Sequence, residues 1–509
     1  MKKLIYFLAV ALTIQGSVFA NNLKIGSITY GTDTVNFTIQ WDNSWRVATG
    51  PSNWDAVWVF IKRQNCDADL NPWIHGTLAA SGHTVSGSQL QVSLASDNLG
   101  VMIHRNSSSP TSINGSDGGI GIGNISQVNV SLKLSANVST DNFKVLGIET
   151  VYIPEGQFYI GDGQTATNHL GFSDAQGANT YAPLLITNAI QSAGLGAETV
   201  YQRENKGSDG ALPSTFPLGY NAFYAMKYEV TQGQYVDFLN SLTVVQQLNI
   251  MGDLKNTRPP TSATGFLIKN ISNCRIEIVT PGNDTSSSTP AVYGLDSTDD
   301  NSFNQANDGY GIPVPMNRRQ SLAYLDWIAL RPMTEFEFEK ACRGPLAPVL
   351  GEYAWGSTDL TSVSGSPTNV KEANSQFSAT TSLGPVHQYL VRGGIDATST
   401  SNRVVSGGTY YGLMEMSGSI HEFTIGGQAG DYSAFTTANG DGSISALAEN
   451  DSPNWVSMPY IYKGNGLWDA YAPVRTISSR YGDNRSEINN QYNEDRDWYY
   501  IGARGVRSW

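Results

Sequence analysis

Residues 411–424 place two carboxylates, Glu415 and Glu422, in a short segment that also contains Gly412 and Gly418. The apolar side chains between them follow neither the period of a helix nor that of a strand, so the segment is predicted to be a tight loop. Glycine permits the chain reversals that such a loop needs. Carboxylates are costly to bury alone, and we therefore expect a cationic group to hold them.

Other residue types that commonly do chemistry are sparse in this chain. The sequence contains neither a G-x-S-x-G elbow nor an H-E-x-x-H pair. The turn at 439–442 resembles the middle of an EF-hand loop, but Thr437 and Ala448 occupy the first and twelfth positions and supply no carboxylate, so a plain turn is predicted. No two of the six histidines stand in the spacing of metal ligands; they are His75, His83, His104, His169, His387 and His421.

The three cysteines cannot all pair within one chain. A bridge between Cys66 and Cys274 is possible in an oxidising compartment, although sequence does not establish it. Cys342 lies at the end of a predicted amphipathic helix, where small buried residues are expected. We predict that it is an inert core thiol rather than a reactive one.

The start of the chain predicts export. Lys2 and Lys3 precede an apolar run, Leu4–Ile14, and small residues follow up to Ala20. This pattern indicates a signal peptide, residues 1–20, and a secreted protein that is periplasmic, on the outer surface or extracellular. No later segment has 18 uninterrupted apolar residues, so the sequence predicts no membrane span in the mature chain. The net charge of −13 argues against a nucleic-acid partner, which requires clustered Lys and Arg.

The elements that position these residues divide the chain into an all-β part, 21–147, and a part of mixed character, 148–509, so the fold class is α+β. Alternating or β-branched runs separated by Gly, Asn and Ser predict an N-terminal β-sandwich that folds alone. Four tryptophans crowd together there, and we favour core and inter-sheet packing over a sugar-binding face. They are Trp41, Trp45, Trp54 and Trp58.

Two helices are predicted in the second part from their N-terminal capping boxes. Thr231 and Gln234 have the capping-box spacing before one apolar periodic run, and Thr334 and Glu337 have it before another. Gly344 follows the second run, where it can supply a left-handed C-terminal cap. The acids of that helix, Glu335, Glu337 and Glu339, are interpreted as favourable partners of the helix dipole rather than as catalytic groups.

Several segments of the second part, in the same order, resemble the formylglycine-generating enzyme or sulfatase-modifying factor family. Residues 411–424 are similar to its GL-x-D-M-x-G-N-x-x-E-W segment, with Ser419 in place of Asn and His421 in place of Trp. Residues 151–161, 223–240 and 330–344 are similar to its IP-x-G-x-F-x-M-G, K-x-E-V-T-N-x-Q-Y and R-L-P-T-E-A-E-W-E-x-A-x-R-G segments. The resemblance implies a fold related to C-type lectins and rich in irregular loops.

The catalytic chemistry of the family does not carry over to this sequence. In active members, two cysteines near the C-terminus bind copper and drive the oxidation of a substrate cysteine to formylglycine. Aligning residues 474–480 with that region puts Ile477 and Ala472 at the two positions, and no cysteine follows Cys342. The resemblance therefore implies a scaffold that has lost its oxidase site.

One family site does carry over, a structural Ca²⁺ site in the loop at 411–424. The matching positions are Glu415, Gly418, Ile420 and Glu422, of which the middle two contribute only backbone carbonyls. Two carboxylates and two carbonyls form a hard-oxygen donor set suited to Ca²⁺. The alternative is that both glutamates are solvated loop acids.

These observations predict an exported, non-catalytic binding or structural protein with a role in surface or extracellular assembly. Its partner would be a protein or a glycan at the cell surface. A metal-dependent oxidoreductase with an unrecognised site is one alternative. Another is a diversified display protein whose variable binding surface is residues 478–500, a stretch dense in Tyr, Asn, Ser and Arg.

Overall fold

A computed structural model describes residues 22–65, 72–107, 121–138, 140–163, 172–173, 182–196, 201–202, 211–251, 275–284, 289–296, 302–305, 308–359, 390–397, 401–426, 431–464, 477–478 and 501–509. The predicted signal peptide, Cys66, Cys274, Ala472 and residues 479–500 lie outside these ranges. Within them, the class is α+β, with many strands, few helices and long irregular connections, as predicted.

The strands are β1 (Lys24–Tyr30), β2 (Thr34–Arg46), β3 (Asp55–Gln64), β4 (Ile74–His75), β5 (Thr84–Val85), β6 (Leu90–Leu94), β7 (Val101–Arg105), β8 (Gly121–Lys133), β9 (Asn142–Ile153), β10 (Phe158–Ile160), β11 (Phe172–Ser173), β12 (Leu184–Ile186), β13 (Tyr201–Gln202), β14 (Phe223–Met226), β15 (Ile276–Thr280), β16 (Val292–Leu295), β17 (Arg331–Pro332), β18 (His421–Ile425), β19 (Tyr460–Lys463), β20 (Ile501–Gly502) and β21 (Gly505–Ser508). The helices are α1 (Asn188–Ala193), α2 (Gln232–Leu239), α3 (Val244–Met251), α4 (Arg318–Trp327), α5 (Glu335–Arg343) and α6 (Arg403–Ser406).

Two sheets pack face to face in the N-terminal part, as the sequence predicts. One has the strand order β1-β2-β8-β5, and the other runs β17-β21-β14-β9-β3-β7-β6, with β4 also paired to β3. Alternate residues of β2 point inward, so Val35, Phe37 and Ile39 are buried against Val57 and Val59 of β3. The inner faces of the two sheets therefore form one apolar core.

Strand β3 has a second core on its other face. Trp58 and Phe60 are fully buried there, in a cluster with Tyr324, Trp327 and other residues of the C-terminal part. The Trp58 indole donates a hydrogen bond to the carbonyl of Ile328 at 2.9 Å. Because both faces are covered, β3 reads as a continuous hydrophobic run rather than an alternating one.

The larger sheet is continuous across the predicted boundary between residues 147 and 148, which falls inside β9. One edge of β9 pairs with β3 over ten residues, from Asn142 to Val151. Its other edge pairs with β14, and β14 pairs with β21 at the end of the described chain. The N-terminal sandwich and the C-terminal part therefore share one sheet.

Both predicted capping boxes are present. The Thr231 side chain accepts a hydrogen bond from the Gln234 amide, and Thr334 accepts one from Glu337, with the reciprocal bonds also made. Helix α2 therefore begins at Gln232 and α5 at Glu335. Gly344 caps α5 at φ +65°, where a Cβ atom would lie 2.3 Å from the ring of Tyr410.

The tryptophan cluster is used for packing. Trp41 and Trp58 are almost fully buried, and Trp45 and Trp54 are half-buried. The Trp54 ring lies between the Arg46 guanidinium, 4.1 Å from its centroid, and the Tyr152 ring, stacked at 4.0 Å. Both faces of that ring are therefore covered. No helix in the described ranges is long and apolar enough to cross a membrane.

Candidate functional site

The loop predicted at 411–424 is a tight reversal that leads directly into β18. Four of its residues adopt positive φ angles: Gly412 (92°), Glu415 (59°), Gly418 (154°) and Ser419 (63°). Left-handed conformations are uncommon for residues other than glycine, so Glu415 and Ser419 are held there by their surroundings. The loop thus presents its two glutamates from opposite ends of one turn.

Arg504 is the cationic group that holds Glu422. Its Nε lies 3.0 Å from both carboxylate oxygens, and its Nη2 lies 2.7 Å from Oε1, with both side chains almost fully buried. The guanidinium also donates to the carbonyls of Met226 and Met414. Burial alone would lower the pKa of Arg504, but the charge and hydrogen bonds of Glu422 outweigh it and raise that pKa. The cationic group predicted for these carboxylates is therefore present at Glu422.

Glu229 is a third acid at this loop, and the sequence did not single it out. Its Oε1 accepts a hydrogen bond from the amide of Ile420 at 3.2 Å, while its buried Oε2 has no hydrogen-bond partner among the described residues. Burial, followed by the charge of Glu422, raises the pKa of Glu229 well above its ordinary value. The signal was available, because Glu229 lies two residues before the capping-box Thr231 in the family-like segment 223–240.

Glu415 lies on another side of the loop and has partners of its own. Its Oε1 accepts a hydrogen bond from the Gly394 amide at 2.7 Å. Burial lowers the pKa of Lys227, and the negative charge of Glu415 partly offsets that decrease. The loop therefore gathers Glu229, Glu415 and Glu422, but it does not direct them at one another as a compact triad.

The donor atoms of the loop are oxygens, which is the type of ligand that a hard cation prefers. Only Glu422 contacts the Arg504 guanidinium, and Glu229 and Glu415 act on it through their charges alone. The unsatisfied Oε2 of Glu229 is the buried atom that a cation would satisfy. Glu422 fits a cation less well, because Arg504 already contacts both of its carboxylate oxygens. A Ca²⁺ ion held by Glu415 and Glu422, with the carbonyls of Gly418 and Ile420, would share Glu422 with Arg504.

The N-terminal sheets also contact this loop. The Asn53 side chain donates to the carbonyl of Tyr411 at 2.6 Å. The Trp45 ring lies 4.7 Å from Lys227 Nζ and in van der Waals contact with Gly412, where a Cβ atom would come within 3.1 Å of it. The loop is therefore held between both parts of the chain.

The position that would hold a copper ligand is apolar and closed. Ile477 is fully buried with Leu413 and Met416, and its amide donates to the carbonyl of Glu352 at 3.0 Å. Cys342 belongs to the same cluster, and burial, followed by the charge of Glu422, raises its pKa well above the ordinary value. A thiol in such surroundings stays protonated, as expected of an inert core cysteine.

One group of three acids in the described chain has oxygens within 4.8 Å of one another: Asp326, Asp441 and Asp451. Asp326 is buried, and its carboxylate accepts five hydrogen bonds, from the amides of Asp441, Asp451 and Ser452 and the side chains of Asn450 and Ser452. Those donors fill its acceptor capacity. Asp326 thus anchors the segment 441–452 to α4.

A family model described as Sulfatase-modifying factor enzyme 1-like domain matches residues 138–441, more than half of the 509 residues. The chain belongs to the sulfatase-modifying factor family. The match includes Glu229, Glu415 and Glu422, whereas Ile477 and Arg504 lie beyond its end. The matched region begins at residue 138, inside the predicted N-terminal part and just before strand β9.

Other comparisons add little to the family assignment. No curated protein matches this member of the sulfatase-modifying factor family. Among solved structures, the crystal structure of the group B streptococcus pilus 2b backbone protein is similar at 16% identity, over 40% of this chain and 83% of that one, with a TM-score of 0.12. A likeness that slight supports no argument about fold or function.

Proposed function

We propose that this family member is an exported, non-catalytic protein with a binding or structural role at the cell surface or in an extracellular assembly. The observation that supports the loss of catalysis is the buried, apolar environment of Ile477 at a position where active members have a copper-binding cysteine. Thiolates are the ligands that a soft Cu(I) ion needs. The sequence offers no cysteine after Cys342, and Cys342 is itself buried.

The test is metal analysis combined with a turnover assay. The mature chain, purified without chelators, would be analysed for copper, iron and calcium, and incubated with copper and a cysteine-containing sulfatase peptide. An active family member is the positive control. We expect neither stoichiometric copper or iron nor formylglycine in the peptide by mass spectrometry. Formation of formylglycine would overturn the proposal.

Export is tested separately, because it depends on residues 1–20 alone. We expect the mature protein to begin at Asn21 and to lie outside the inner membrane. Fractionation of the native host and N-terminal sequencing check both points. A cytoplasmic protein that retains Met1 would contradict the localisation.

We further propose a structural Ca²⁺ ion at the loop 411–424, held by Glu415 and Glu422 with the backbone carbonyls of Gly418 and Ile420. The unsatisfied Oε2 of Glu229 beside this loop supports it. A bound ion would add positive charge beside three acids, of which only Glu422 contacts the arginine. Its effect would be stability, because a ligand that binds only the folded state raises the free energy of unfolding by mass action.

Thermal melting with calcium, with magnesium and with chelator tests the ion. We expect calcium to raise the melting temperature of the wild type, and Glu422→Ala and Glu415→Gln each to abolish the increase. Glu415→Gln is the sharper variant, since Glu422→Ala also leaves Arg504 unpaired. An identical melting temperature with calcium and with chelator would rule out the ion without affecting the non-catalytic proposal.

A further inference from the structure

The outer face of the β1-β2-β8-β5 sheet carries a groove of about 310 Å³ that the family site does not involve. None of the side chains that line it is charged, although the chain as a whole has a net charge of −13. Eight of them carry a hydroxyl or an amide: Ser27, Thr29, Asn36, Thr38, Thr84, Ser86, Asn129 and Ser131. All belong to the described ranges.

These polar side chains form two rows that cross the sheet. Strand pairing places Thr29 opposite Asn36, Asn36 opposite Ser131, and Ser131 opposite Thr84. Neighbouring strands lie about 4.8 Å apart, and residues two apart on one strand lie about 6.7 Å apart. The first row therefore offers a hydroxyl or an amide on each of the four strands.

The second row runs parallel to the first. Thr38 pairs with Asn129, and the backbone N–H of Asn129 donates to the Ser86 hydroxyl at 3.0 Å. Ser27 adds a hydroxyl from a β-bulge in β1, where one extra residue shifts the register and the backbone reaches φ +51°. A bulge bends the strand that carries it.

The floor and the rim of the groove differ in burial. Asn36, Thr38 and Ser131 on the two central strands are half-buried, whereas Thr29 and Thr84 on the edge strands are exposed. The alternate residues of β2 and β8 point into the core on the other side of the sheet. The hydroxyl and amide side chains can therefore be changed without altering core packing, whereas Phe37 and Val130, which also line the groove, belong to the core.

The lining restricts the chemistry of a ligand. Without lysine or arginine the groove has no charge for an anion, and without carboxylates it lacks the ligands that Ca²⁺ prefers. An apolar ligand would leave buried hydroxyls and amides unsatisfied. Hydroxyls and amides both donate and accept hydrogen bonds, as do the hydroxyls of a neutral sugar.

We propose that this groove binds a neutral carbohydrate, two to three sugar units long, through the two rows of hydroxyl and amide side chains. The volume lies at the low end of the range for ligand pockets, about 300 to 1,000 Å³. The groove is shallow and contains no aromatic platform of exposed rings, so affinity would be about millimolar. Binding there is independent of the loop 411–424.

The test is saturation-transfer NMR on the mature chain with maltotriose, cellotriose, xylotriose, mannotriose and triacetylchitotriose. We expect at least one of them to receive saturation. In titrations, Thr38→Val should weaken binding about five-fold, because it replaces one hydrogen-bonding hydroxyl by a methyl group of the same shape. Asn129→Ala should weaken it similarly.

Thr34→Val is the matched control. Thr34 lies on the same strand and the same face as Asn36 and Thr38 but does not line the groove. It should leave both binding and melting temperature unchanged. Absence of signal from all five sugars overturns the proposal, as does binding that Thr38→Val and Asn129→Ala leave intact. Binding of a Ser- and Thr-rich peptide with no sugar binding would replace the carbohydrate by an extended polypeptide.

Discussion

The buried pair of Arg504 and Glu422 offers the sharpest test of how the loop at 411–424 is held. Replacing Arg504 by methionine removes three contacts to the carboxylate and two to the carbonyls of Met226 and Met414. Removing one partner of a buried ion pair leaves the other charge uncompensated and costs about 3–5 kcal/mol. We expect Arg504→Met to lower the free energy of unfolding by that amount.

A double-mutant cycle separates the pair from its surroundings. Glu422→Gln, Arg504→Met and the double variant would be unfolded in urea and followed by circular dichroism. The double variant buries no unpaired charge, so it should be more stable than the sum of the two single effects predicts, by about 2 kcal/mol. Arg504→Lys keeps the charge but loses the bidentate geometry and should fall between wild type and Arg504→Met.

Two results would refute this reasoning. One is a loss of less than about 1 kcal/mol for Arg504→Met, which is the range of exposed ion pairs. The other is simple additivity in the cycle, which would mean that the two side chains do not interact energetically.

Three further predictions concern a buried lysine, the isolated N-terminal part and a buried cysteine. Burial lowers the pKa of Lys340 to about 7, so between pH 7 and 10 the unfolded chain binds more protons than the folded one and the free energy of unfolding rises with pH. The total rise is on the order of 4 kcal/mol. Lys340→Met should flatten this slope, which urea unfolding at several pH values would show. Contrary to the independent folding expected from the sequence, an isolated fragment of residues 23–147 should aggregate, because it exposes the face of β3 that packs on the C-terminal part. A monomeric, protease-resistant fragment would contradict this. Cys342 should react with a thiol reagent only after unfolding, tested in a Cys66→Ser/Cys274→Ser variant, and rapid labelling of the native protein would refute its burial.

Local features of this chain were predictable because their causes are local. Thr231 and Thr334 begin helices through side chains three residues away, and Gly344 ends α5 because its conformation suits glycine. The all-β character of the N-terminal part followed equally from its alternating and β-branched runs. Such signals need only a few neighbouring residues.

What depends on distant contacts was not predictable from the same patterns. A fully apolar run such as Val57–Ile61 indicates burial on both faces but does not name the elements that cover them. Sequence gave no sign that Lys62 Nζ would reach the carbonyls of Trp327 and Gly442, each at 2.6 Å. Glu229 lies in the family-like segment 223–240, but its contact with Ile420, 191 positions away, was not predictable for the same reason. The continuous sheet across β9 likewise depends on pairing with strands that are distant in the sequence.

Strand β21, residues 505–508, lies inside the larger sheet, between β17 and β14. Arg507 on this strand bonds the carboxylate of Asp97 and stacks on Trp58, both of which are made early in synthesis. At roughly 5–20 residues per second, a ribosome needs on the order of tens of seconds to go from Trp58 to Arg507. Until then the sheet has an open slot, and the apolar faces beside it are exposed. The native sheet therefore cannot close until residues 505–508 have been made.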